Sequence, residues 1–131
     1  MRQHLHGQLC TGVGQGKHFT RLEWARQQFM DKLGIDPFPG TINLIVDDSE
    51  SKKAWNRLKG TPGVRIDNPN HGPHDCDARC YAVSIDDQID GAIVLPEVPG
   101  YSPVQIEVIT AIGVRDALGM GDGDLLKLEI K

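Results

Sequence analysis

From Thr41 onward the chain is a succession of short apolar or alternating segments cut apart by turn residues. No other feature constrains the fold as tightly. Thr41-Ile42-Asn43-Leu44-Ile45-Val46, Arg79 to Ile85, Gly91-Ala92-Ile93-Val94-Leu95, Gln105-Ile106-Glu107-Val108-Ile109 and Leu125 to Ile130 each read as a strand. In the last of these Leu126, Leu128 and Ile130 share one face. A further strand over residues 3–13 leads into a glycine-rich stretch. The punctuation comes from 15 glycines and 8 prolines.

Helical periodicity is confined to a few places. Leu22, Ala25, Phe29 and Leu33 recur at helical spacing, which predicts a helix over 21–33. Thr20 is its expected N-cap, with Glu23 at the third position of a capping box, and Gly34 is its stop. Pro37 and Pro39 forbid continuation. Short helices are expected from Ser51 to Leu58 and from Ala111 to Leu118, the second closed by Gly119. Residues 61–77 read as loop, and Asp122-Gly123-Asp124 as a turn. Parallel winding would need a helix between most strands. The expected fold is therefore mainly β: a small barrel with a few helices on its outside.

With 131 residues, the chain is expected to form one domain over 1–131. A net charge of −4 argues against a general nucleic-acid binder, which needs a basic surface. No apolar run approaches the roughly 20 residues that span a bilayer. The start of the chain has no apolar signal segment, and 3 cysteines do not make a disulfide framework. A cytoplasmic, reducing location with no membrane partner is the expectation.

Gly12-Val13-Gly14-Gln15-Gly16-Lys17 carries glycine at alternate positions. Glycine lets backbone N–H groups approach a ligand closely, and Lys17 adds a cation, so the loop reads as an anion nest for phosphate. Its spacing is neither a P-loop nor a dinucleotide fingerprint, and a plain hairpin turn is the alternative. Thr41 and Asn43 stand two residues apart on a strand and so share a face. Their neutral oxygens suit magnesium that leans on substrate phosphates, or they simply begin a strand after the Pro39-Gly40 turn. Glu107, among Ile106, Val108 and Ile109, points either to solvent or into a pocket as a base or acceptor. Arg115 either contacts phosphate or pairs with Asp116 or another surface acid. A second cluster, His71, His74, Cys76 and Cys80, offers four zinc-ligand types in an unfamiliar spacing, or a polar loop with Cys80 packed in a strand.

These residues together resemble a family. Gly12 to Gly16, Leu33-Gly34, Pro37-x-Pro39-Gly40-Thr41-x-Asn43, Ile106-Glu107-Val108-Ile109, Arg115, Leu118-Gly119 and Asp122-Gly123-Asp124 follow the order seen in archaeal-type CTP-dependent riboflavin kinases. The resemblance implies a cradle-loop β-barrel with Greek-key connections. It implies a phosphotransferase that moves phosphate from CTP to the 5′-hydroxyl of riboflavin, giving FMN and CDP. By position, Gly12, Val13, Gly14, Gln15, Gly16 and Lys17 would line the CTP site. Ile112, Gly113, Val114, Arg115, Asp116 and Ala117 would complete it, Thr41 and Asn43 would hold magnesium, and Glu107 would contact the flavin. The chain departs from the family where an Arg-Thr pair is expected before the Ile-Glu segment. Val98-Pro99-Gly100 stands there, and Ser102 is the nearest hydroxyl to replace the lost threonine. The alternatives are a non-catalytic nucleotide or flavin binder, and a zinc-binding module built on the segment from His71 to Cys80.

Overall fold

The computed structural model describes residues 3–10, 22–38, 41–70, 72, 76–98 and 100–131. Seven strands run β1 (His4–Cys10), β2 (Ile42–Ile45), β3 (Val64–Ile66), β4 (Ala78–Ile85), β5 (Ile89–Pro96), β6 (Gln105–Thr110) and β7 (Leu125–Ile130). They pair in the order β3-β4-β5-β6-β2-β1-β7, and β4 also pairs with β7. That last pairing closes six antiparallel strands into a barrel and leaves β3 attached outside the ring, on the first half of β4. Closure removes the open edges that a flat sheet of these apolar strands would expose.

Strand alternation sorts the apolar residues into two clusters. Leu5 and Leu9, Leu44, Tyr81, Val83 and Ile85, Ile93 and Leu95, Ile106 and Val108, and Leu126 and Leu128 fill the interior. Their strand neighbours Ala78 and Cys80, Ala92 and Val94, and Ile109 face the other way, beneath Ala25, Phe29 and Ile35. The period of two thus gives the barrel an inner core and one apolar patch on its outer wall.

A helix, α1 (Glu23–Gln28), covers that patch and continues as a π-helical turn over Phe29–Leu33. Its start departs from the sequence expectation. Leu22 is the N-cap, with extended backbone, and its carbonyl accepts from the N–H groups of Ala25 and Arg26. Glu23 is therefore the first helical residue, not the third. Gly34 ends the helix at φ +69°, a left-handed conformation that glycine adopts without strain.

The second helix, α2 (Ser49–Lys59), is capped by Asp48, whose carboxylate accepts from the Ser51 N–H at 2.8 Å. It lends Ala54, Trp55 and Leu58 to the interior cluster. The third, α3 (Val114–Leu118), starts at Val114 and not at Ala111, with Gly113 as N-cap and Gly119 at φ +63° closing it. β3 lies inside the stretch expected to be loop. Among the described residues no helix is long and apolar enough to cross a membrane.

Candidate functional site

Register places the candidate residues more tightly than sequence spacing does. Across β1, β2, β6 and β5, the partners Cys10↔Asn43, Asn43↔Glu107 and Glu107↔Val94 form one continuous row on the outer wall. The row continues through Val94↔Cys80 into the apolar patch under α1. Its polar end lies beyond that patch. Glu107 is nonetheless fully buried and Asn43 is 7% exposed. Of the two surroundings the sequence left open for Glu107, solvent is excluded: the side chain lies on the outer wall but is covered there.

The buried carboxylate is held from two sides. Tyr101, on the connection between β5 and β6, donates its hydroxyl to Glu107 Oε2 at 2.6 Å. Thr41 donates to Oε1 at 3.4 Å. Burial, and then the carboxylate beside it, push the Tyr101 phenol far above its ordinary range, so it stays a hydrogen-bond donor at any working pH. Gln105 reaches Asn43 Oδ1 with its amide at 3.4 Å. Thr41, Asn43 and Glu107 thus gather a hydroxyl, a carboxamide and a carboxylate, all hard oxygens of the kind magnesium takes. The donor set fits that ion.

A cleft of about 230 Å³ opens beside Thr41. Ile112, Gly113, Val114, Arg115 and Asp116 line it together with Phe38, Ile42, Val108 and Thr110. Five of the six residues from 112 to 117 therefore meet Thr41 in one cavity. Ala117 is exposed and is not part of the lining. Arg115 donates to Asp122 Oδ1 at 2.6 Å and to the Cys10 carbonyl at 3.3 Å, so its acid partner is Asp122, not Asp116. Both side chains of that pair are partly exposed, which keeps the ion pair weak and exchangeable. The Cys10 thiol sits at the same corner, 3.7 Å from the Asn43 carbonyl, and burial raises its pKa.

Ser102 lies elsewhere. It lines a second cleft, about 410 Å³, with Trp55, Lys59, Arg79, Tyr101 and Pro103. Tyr101 therefore borders this second cleft while its hydroxyl reaches the buried carboxylate. Sequence reading gave no role to Tyr101, Gln105, Phe38 or Asp122. None carries a spacing signal, because each acts from a loop or a strand end.

Gly12 to Lys17, Thr20, Pro39, Gly40, His71, His74 and Pro99 lie outside the described residues. For the zinc alternative, Cys80 is fully buried in the apolar patch, and burial pushes its thiol up to about 12. Cys80 is thus packed in a strand, as one of the two readings of that segment has it, while the two histidines of the other reading are not among the described residues. Among the described residues no group of three His, Cys, Asp or Glu side chains could hold a metal.

Curated relatives match nearly all of this chain. A riboflavin kinase of Methanosarcina acetivorans is 37% identical over 128 residues, covering 97% of this chain and 53% of the relative. One from Archaeoglobus fulgidus is 35% identical over 127 residues, covering 96% and 54%. One from Pyrobaculum arsenaticum is 32% identical over 127 residues, covering 96% and 60%. The chain thus spans between about half and three-fifths of the length of these relatives. Residues 9–130 match the family CTP-dep_RFKase, described as a domain of unknown function, DUF120. The chain belongs to the CTP-dependent riboflavin kinase family.

Proposed function

We propose that residues 1–131 act as one unit that transfers the terminal phosphoryl group of CTP to the 5′-hydroxyl of riboflavin, giving FMN and CDP. One observation carries this reading: Asn43 and Glu107 are paired across β2 and β6, with Thr41 on the same carboxylate and its cleft running to Arg115. Phosphoryl transfer asks the protein for positioning and charge neutralisation more than for covalent chemistry. The pairing offers a fixed acceptor oxygen, and the cleft offers a cation for phosphate.

Thr41 and Asn43 would hold magnesium through neutral oxygens, with the Glu107 carboxylate, 3.4 Å from the Thr41 hydroxyl, adding the negative charge they lack. When bound, the ion neutralises charge developing on the phosphate oxygens. Arg115 exchanges Asp122 for the phosphate chain, and the Gly12–Lys17 loop supplies N–H groups and the Lys17 cation to the same chain. Glu107 accepts a hydrogen bond from the 5′-hydroxyl, which orients it. As the new P–O bond forms and the bond to the CDP oxygen breaks, the hydroxyl proton passes to this carboxylate. Tyr101 fixes the carboxylate without touching the reacting atoms. The 410 Å³ cleft lined by Tyr101 and Ser102 suits the larger, fused-ring acceptor.

The test is incubation of the protein with riboflavin, magnesium and either CTP or ATP, with FMN separated by chromatography. FMN formed with CTP supports the reading; no FMN from folded protein overturns it. A second reading, a binder without turnover, is favoured by Val98 and Gly100 standing where the family carries its Arg-Thr pair. CTP and riboflavin binding with no FMN produced would establish that reading.

A further inference from the structure

Two buried side-chain N–H groups make no hydrogen bond among the described residues, Trp55 Nε1 and Arg79 Nε. Both residues line the same cleft, the one of about 410 Å³ that Tyr101 and Ser102 border. Arg79 Nε stands 3.0 Å from Glu97 Oε1, so its charge is answered although the N–H is out of line with the carboxylate. Trp55 has no such relief. It is 2% exposed, and its indole N–H is buried without an acceptor.

A buried indole usually finds a partner for its N–H, and a phenylalanine would fill the same place without leaving a donor unmet. The polar groups around Trp55 are engaged with one another. The Tyr81 hydroxyl and Arg79 each donate to the Thr61 carbonyl at 2.9 Å, and Arg79 also donates to the Lys59 carbonyl at 2.9 Å. The Glu97 carboxylate lies between Arg79 and Arg65, at 3.0 and 3.7 Å. Lys59, one turn after Trp55 on α2, lays its ammonium over the indole face, 5.3 Å from the ring centroid. The surplus at this end of the cleft is therefore in donors. A ligand that completes it brings acceptors.

We infer that Trp55 is a specificity-determining residue of this cleft: its Nε1–H receives a carbonyl oxygen on the edge of a flat, fused-ring ligand. The inference rests on the phosphotransfer reading above and names the residue that orients its acceptor. One end of the flavin ring system carries carbonyl oxygens and the other carries methyl groups, so the carbonyl end goes to Trp55 and Lys59. Tyr101 borders the same cleft and passes its hydroxyl to Glu107 at 2.6 Å. The ribityl chain therefore leaves on the Tyr101 side, toward that carboxylate.

The measurement is the indole N–H resonance of Trp55 in the folded wild type, followed by NMR as riboflavin is added. The chain has 2 tryptophans, and Trp24→Phe assigns the two signals. Binding itself is followed separately by flavin fluorescence. Phenazine, a fused tricycle without carbonyl oxygens, is the control ligand. Hydrogen bonding removes electron density from the proton, so riboflavin should move the Trp55 signal downfield and phenazine should not. Trp55→Phe, checked for folding by a thermal melt, should weaken riboflavin by about three- to tenfold, the worth of one neutral hydrogen bond. A Trp55 signal that stays put or moves upfield while riboflavin binds overturns the inference, as does an equal downfield shift with phenazine. If the signal moves downfield but no FMN is ever made, the inference stands and the kinase reading fails. If FMN is made while the signal stays put, the kinase reading stands and the inference fails. Riboflavin that does not bind at all overturns both.

Discussion

Asn43 and Glu107 are direct cross-strand partners between β2 and β6, both turned to the outer wall of the barrel and both buried. A neutral amide beside a buried carboxylate is an arrangement that packing alone does not favour, since an unpaired buried charge is costly. It is sustained here by the Tyr101 and Thr41 hydroxyls. The pair therefore marks where the chain gives up apolar packing for buried polar groups.

Asn43→Ala should abolish most turnover and leave the fold intact. The Asn43 amide receives one long hydrogen bond, from Gln105 at 3.4 Å, so little structure depends on it. Loss of one preorganised polar group at a reacting centre costs about 100-fold or more in rate. Steady-state FMN formation at saturating magnesium, beside a thermal melt, checks both halves. Full activity would remove Asn43 from the site.

Tyr101→Phe should destabilise the protein by about 1.5–3 kcal/mol, the usual worth of a hydrogen bond to a charged group. The phenyl ring keeps the volume, so no cavity adds to the loss. Urea unfolding should show a lower midpoint at unchanged slope. A midpoint equal to wild type would mean that the 2.6 Å contact with Glu107 carries no net stability.

Two glycines of like conformation should respond unequally to alanine. Gly34 and Gly63 have φ of +69° and +60°. A Cβ at Gly34 meets nothing within 4 Å, so Gly34→Ala should cost only the left-handed penalty of about 1–2 kcal/mol. At Gly63 the Cβ would stand 2.7 Å from the Cys80 carbonyl oxygen and from the Tyr81 ring. Overpacking adds about 1–3 kcal/mol there, so Gly63→Ala should unfold at clearly lower urea than Gly34→Ala.

Cys80 should make the fold weaken in alkali. Burial raises its thiol from 9.0 to about 12 in the folded chain. The folded state keeps the proton that the unfolded chain releases. This contribution is whole below pH 9.0 and falls away as pH rises toward about 12. Urea midpoints at pH 8 and pH 10 should therefore differ less in Cys80→Ala than in the wild type. An equal drop in both would assign the alkaline loss to other groups.

Much of the barrel was legible because alternation survives in β4, β6 and β7, where one face is committed to the interior. β3 was not: Val64–Ile66 is three residues amid proline, glycine and asparagine, and it is a strand because β4 offers it partners. The helix start was misplaced because Thr20 and Glu23 match a capping pattern that says nothing of where the backbone turns helical. At the site, Thr41, Asn43 and Glu107 were readable as residue types. Their meeting was not, since Thr41 and Glu107 lie 66 positions apart and only the β2–β6 register joins them. Tyr101 was passed over for Ser102 because a missing threonine directs attention to the nearest aliphatic hydroxyl. The fold also brings a phenol from the same loop, Tyr101, onto Glu107.

Closure of the six strands has a consequence for that register. In an open sheet one strand can slide past its neighbour and leave the rest undisturbed. In a ring every displacement must be made good somewhere around the circuit, so β2 cannot shift against β6 unless another of the six seams shifts to compensate. Sliding Asn43 off Glu107 by one place would also turn Leu44 outward and leave a gap in the interior. The alignment of these two side chains is thus a property of the whole circuit, and the barrel cannot complete itself wrongly at the site while being right elsewhere.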